Sequence, residues 1–146
     1  MLGGHMVKSW SVTQAVIALS SGEAEYYGAV KAASIGMGIA GILADLGIPR
    51  SKISIRVKTD SSAAKGIANR KGLGNVRHIE INQLWLQDKC RSGAIEIVKV
   101  DGVDNLADCL TKYVDSEGVA KHIYGVGMGI IVGLRHHLMP LTDHNK

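Results

Sequence analysis

Phenylalanine is absent from this 146-residue chain, and aromatic residues make up only 4% of it. Its core must therefore be built from Ile, Val, Leu, Ala and Met. Cysteine is scarce as well: Cys90 and Cys109 stand apart, with no CxxC and no metal-ligand spacing. They read as reduced, buried thiols of an intracellular protein, cytoplasmic or nuclear. Long apolar runs are missing. The longest near the middle, Ala32 to Ala44, is thirteen residues, against about 20 for a membrane-spanning helix, so no membrane span is expected. The opening MLGGHMVKSW has no charged segment followed by an apolar one, and no signal peptide is seen. Charge of one sign hardly dominates: 17 basic minus 13 acidic residues leaves +4, which permits an anionic partner without demanding one.

What is present reads as a globular domain. Hydrophobic residues reach 46% and charged ones 21%, outside the disordered range. Glycine is abundant, at 18 residues. Gln14 to Leu19 is a short apolar run and reads as a buried strand, with Met1 to Trp10 as a weaker partner in a hairpin. Ser20 and Glu23 have capping-box spacing and open a long helix that Gly47 and Pro49 end. Gly36, Gly38 and Gly41 each cost about 1 kcal/mol inside it, which close packing against a neighbour is expected to offset. Ile53 to Thr59 alternates and is β-branched, hence a strand. A short helix from Asp60 and Ser61 to Arg70, a glycine-bearing loop from Lys71 to Val76, and a helix from His78 to Arg91 follow. Ala94 to Val100 is another strand, and Asp104 caps a final helix bearing Leu106, Leu110 and Tyr113. Late strands joined through helices are parallel and the opening hairpin antiparallel, which predicts an α/β fold with a mixed sheet. From Asp115 to Lys146 the chain changes character, with four of six histidines and three glycines in five residues.

Three acids stand where metal chemistry would use them, and each has a plainer explanation. Glu25 lies near a helix N-terminus, where the dipole favours any acid. Asp60 follows a strand directly, as an N-cap would, but ligands also collect at the carboxyl ends of strands in α/β sheets. Asp108 lies in the first turn of the last helix, again compatible with the dipole. Together they suggest oxygen ligands for Mg²⁺, which binds few carboxylates and keeps its waters. Glu23, by contrast, is accounted for by the capping box.

Four ordered stretches then match a family: LSSGEAEYYGAVKAAS, VKTDSSAAKGIAN, VRHIEINQLWLQDKCRSGAIEIVKV and DNLADCLTK. They resemble the ribonuclease H domain of copia-type retrotransposon Pol polyproteins. The resemblance covers residues 1–114 and leaves the Gly/His-rich tail, 115–146, outside. It implies a ribonuclease H-like mixed sheet flanked by helices, and cleavage of the RNA strand of an RNA–DNA hybrid by two Mg²⁺ ions. The AEY, TDS and LAD matches carry catalytic and metal-binding roles onto Glu25, Asp60 and Asp108. MLGGHMVKSW resembles the family's second strand, so the first, central strand and its acid are expected to be missing or substituted, and the chain alone is expected to be inactive. Val126 to Leu134, apolar and β-branched at its centre, is a candidate to fill that sheet position.

From Ser61 to Ile79 there are no acids, whereas Lys65, Arg70, Lys71 and Arg77 are basic. Phosphate contacts need such sequence-independent basic surface, and Gly72 and Gly74 would let backbone approach a phosphate. RNA–DNA hybrid is the expected partner, beside the remainder of a Pol polyprotein or a larger protein assembly. Two competing readings are a binding module that hydrolyses nothing and a structural subunit. Trp85 reads as core, and His136, His137 and His144 have poor spacing for zinc.

Overall fold

The computed structural model describes residues 1–74, 79 and 83–129. The chain divides into two compact units, Val12–Asn105 and Met1–Ser11 together with Leu106–Lys146.

In the first unit, helix α1 (Ser21–Asp45) starts where the capping box places it: the Ser20 side chain accepts a hydrogen bond from the Glu23 amide at 3.2 Å. It ends at Leu46, and Gly47 follows at φ +88°, a left-handed conformation that suits glycine. Strand β1 (Ile55–Thr59) runs into helix α2 (Ser62–Asn69), and helix α3 (Trp85–Arg91) leads to strand β2 (Ile95–Lys99). The strands pair in parallel, Ile55 opposite Ile95 and Val57 opposite Ile97. This is an α/β fold with a two-stranded parallel sheet flanked by helices. Alternation along the strands sorts their faces. Val57, Thr59, Ile95 and Ile97 are buried, whereas Arg56 and Glu96 are exposed and pair at 2.8 Å. The buried face meets Tyr26, Val30 and Ala33 of α1, Ala64, Ile67 and Ala68 of α2, and Leu86 of α3 in one core. Alanine recurs on the helix faces, and its small side chain lets three helices approach the two described strands.

The opening hairpin is not formed. Residues 14–19 contain no strand, and residues 1–10 contain only an isolated bridge between Leu2 and His5. Val16 and Ala18 do turn inward against the core, while Ile17 is 86% exposed. The alternation was real, but side chains hold the segment in place of a ladder: Gln14 Nε2 donates to the Ala24 carbonyl and the Leu19 amide to Glu23 Oε2. Without that hairpin the described sheet is parallel, not mixed. The helix expected from His78 is described from Trp85 onward, residues 75–78 and 80–82 lying outside the described set. Helix α1 is long and apolar enough, by length and composition alone, to cross a membrane, a property hidden by counting only its uncharged run. Its first half is packed in the core.

In the second unit, the helix expected after Asp104 is replaced by short 3-10 turns, Gly102–Asp104 (still within the first unit) and Leu106–Leu110. The Asp104 amide donates to the Asp101 carbonyl at 2.9 Å and closes the first of these turns. An α-helix does occur further on, α4 (Ser116–Gly125), capped by the Asp115 side chain accepting from the Gly118 amide at 2.8 Å. Its His122 Nδ1 lies 2.8 Å from the Leu106 carbonyl. Of the candidate strand Val126–Leu134, residues 126–129 leave α4 in a turn, with the Val126 carbonyl accepting from the Met6 amide. Residues 130–134 lie outside the described set.

Candidate functional site

At the carboxyl end of β1 the chain turns sharply. The Val100 amide donates to the Thr59 carbonyl at 2.9 Å and ties the two strand ends together. Thr59 Oγ1 accepts from the Ser61 amide, and the Ser61 side chain in turn accepts from the Ala64 amide at 3.1 Å. Ser61, not Asp60, is therefore the N-cap of α2. The plainer explanation for Asp60 is withdrawn by this geometry, since its carboxylate caps nothing. It is half-buried and makes no ion pair among the described residues. The Gly102–Asp104 turn lies beside it, close enough that a Cβ on Gly102 would sit 3.9 Å from Asp60 Oδ2.

Glu25 is exposed on the first turns of α1. That end of the helix lies directly against the start of α2, where a Cβ on Gly22 would come within 2.6 Å of the Ala63 Cβ. Glu25, one turn beyond Gly22, and Asp60, three residues before Ala63, are thus carried by elements that meet. Glu23 is the fully buried acid of this helix, accepting from the Leu19 amide at 2.8 Å and the Tyr27 hydroxyl at 3.1 Å. Asp108 belongs to the other unit, in the Leu106–Leu110 turn, where its Oδ2 pairs with Lys112 Nζ at 2.8 Å. Among the described residues no group of three or more His, Cys, Asp or Glu side chains is placed to hold a metal ion.

The basic stretch is a built loop. Lys65 is exposed on α2 and Lys71 is exposed beyond its end. Arg70 is turned inward: its guanidinium donates to the Leu73 carbonyl and lies against Gly74, where a Cβ would be 2.8 Å from Nη1. Its Nε is buried with no hydrogen-bond partner among the described residues. Burial, and then the neighbouring Cys90, push the Tyr26 phenol up to about 12, against the pull of Arg70. That phenol donates to the Gln83 carbonyl at 2.8 Å. Arg77 lies outside the described residues.

One residue of this site escaped the sequence reading. Gln87, 3% exposed on α3, donates through Nε2 to the Ile67 carbonyl at 2.9 Å and the Gly72 carbonyl at 3.0 Å. Its Oε1 accepts from the Gly72 amide at 2.9 Å. Gly72 at φ +75° and Gly74 at φ +57° occupy left-handed conformations that suit glycine. The Gly72 amide expected to approach a phosphate is therefore already engaged. A lone amide beside Leu86 on a buried helix face was the available signal, because a buried amide must find partners.

No protein-family model matches the chain, and no solved structure does. The chain is similar to the retrovirus-related Pol polyproteins from transposons RE1 and RE2 of Arabidopsis thaliana, 32% identical to each over 111 residues. The aligned stretch is 76% of this chain and 8% of each relative, so the chain spans less than a tenth of the relatives' length. Over that stretch the chain is similar to a short segment of a retrotransposon Pol polyprotein.

Proposed function

We propose that this chain is the ribonuclease H-type segment of a retrotransposon Pol polyprotein, and that it holds an RNA–DNA hybrid at the surface carrying Lys65 and Lys71. The observation behind this reading is the pair of exposed lysines on and just after α2, in a described stretch from Ser61 to Gly74 that contains no acid. Phosphates need no more elaborate recognition than this, because backbone contacts are electrostatic and independent of sequence. On the same reading Glu25, Asp60 and Asp108 are the acids of a two-magnesium nuclease that lacks a complete ligand set, and this chain binds without cutting. A labelled hybrid titrated at several salt concentrations tests the reading. Binding should weaken steeply with salt, and replacing both Lys65 and Lys71 by Ala should reduce the log–log slope by about 2. Binding that ignores salt, or a slope the double variant leaves unchanged, would remove the interface. Cleavage of the hybrid by the purified chain with Mg²⁺ would remove the claim that it only binds.

A second reading, packing against another part of a Pol polyprotein, is favoured by the second half of α1. Met37 and Ile42 are exposed on it, and Leu46 just after it is 75% exposed. Apolar surface of this kind marks protein contacts when it is contiguous.

A further inference from the structure

We infer that Gln87 is a positioning residue for the basic loop: its buried amide fixes the backbone at Gly72 and thereby presents Lys71 to the phosphates of a bound hybrid. The inference rests on the hybrid-binding reading above and names the part that makes it specific. Residues 70–74 have no secondary structure of their own to hold them. What holds them is a three-bond grip. Gln87 takes both the amide and the carbonyl of Gly72 and anchors the pair to Ile67, in the last turns of α2. Arg70 adds a second tie, to the Leu73 carbonyl. Lys71 sits between the two tied residues with its side chain exposed. A loop anchored on both sides of one exposed lysine holds that lysine's backbone in a fixed place, and the cost of ordering that backbone is met on folding instead of on binding. Gln87 lies beneath this surface, 3% exposed, with its amide engaged by Ile67 and Gly72. Its effect must therefore pass through the loop.

Lys65 supplies the internal control, since it is carried by the regular backbone of α2 and not by the loop. The experiment is a double-mutant cycle on the full chain, reading affinity for a labelled RNA–DNA hybrid and its salt dependence. In the wild-type background Lys71→Ala should lower the salt slope by about 1. In a Gln87→Met background, nearly equal in size but unable to hydrogen-bond, Lys71→Ala should have little further effect. Lys65→Ala should cost the same in both backgrounds. Amide exchange gives the accompanying structural readout: Gly72 should exchange faster in Gln87→Met while Ile97 in β2 stays protected. Should Gln87→Met fail to fold, Gln87→Asn keeps the amide but withdraws it by one methylene, and the same loss of Lys71 dependence is expected. A Lys71→Ala effect of equal size in both backgrounds overturns the inference while leaving hybrid binding standing. No salt-sensitive hybrid binding by the wild-type chain overturns the underlying reading, and the inference with it.

Discussion

The first turns of α1 and its last ones differ in what their small residues do. Near the N-terminus, Gly22 is the point at which α1 meets α2, and Ala29 and Ala33 are buried in the core beside Tyr26 and Val30. In the second half Ala40 is buried and Gly36 passes Ile55, a Cβ there falling 3.0 Å from its Cγ2. Gly38 and Gly41, however, have nothing within 4 Å of where a Cβ would stand. Glycine thus makes close packing possible at Gly22 and Gly36 and meets open space at Gly28, Gly38 and Gly41; what separates the halves is the exposed apolar surface of the second, at Met37 and Ile42. Apolar and small residues spaced along a helix report that a surface is built for contact; they do not say whether the same chain supplies the contact.

The largest effect should come from disturbing the packed half. Gly22→Ala puts a methyl group 2.6 Å from the Ala63 Cβ, and neither backbone-proximal atom can swing aside. The two helices must separate, which costs about 1–3 kcal/mol by the usual scale of overpacking. Urea unfolding would read this as a lower midpoint at unchanged slope. A neutral outcome would mean that α1 and α2 have room to slide, and the contrast between the halves would weaken.

An opposite sign is expected at Gly38. With open space around its Cβ position, Gly38→Ala removes backbone freedom from the unfolded chain and adds no clash, so it should stabilise by about 1 kcal/mol. Thermal unfolding checks this directly. Destabilisation there would show that something does lie against the second half in solution.

How much of this was legible in the sequence depended on whether a signal was local. The start of α1 was readable because Ser20 and Glu23 are three residues apart, and its end because Gly47 follows the last apolar position. Strands β1 and β2 were readable from alternation. The hairpin was misread because alternation at Val16 and Ala18 records one-sided burial, which packing alone can satisfy without a paired strand. Helix α4 went unseen because DSEGVAKHIYG carries two glycines and lies in a stretch read for its composition. The site divided similarly. Asp60 was correctly placed at a strand end, but Ser61 takes the cap because its hydroxyl, one residue later, reaches the Ala64 amide. Gln87 was hard to assign because the two residues it grips, Gly72 and Ile67, lie 15 and 20 residues away; a single amide on a buried helix face says that partners exist, not which they are.

The smallest expected effect is the most discriminating. Ile42 is 61% exposed on the open half of α1, so Ile42→Gln exchanges one solvated side chain for another and should change stability by no more than about 0.5 kcal/mol. A buried isoleucine at an equivalent place in the first half would lose several times as much, since apolar burial contributes roughly 25 cal/mol per Å² removed from water. The measurement is unfolding of the variant at two protein concentrations tenfold apart. A small, concentration-independent change means that the single chain leaves this surface uncovered, and the reason for its apolar character then lies in a partner outside the chain. A larger loss that grows with concentration means that copies of the chain already cover one another there, because linkage to association makes stability depend on concentration. A large loss at both concentrations would place Ile42 in the chain's own core, and the two halves of α1 would then be alike.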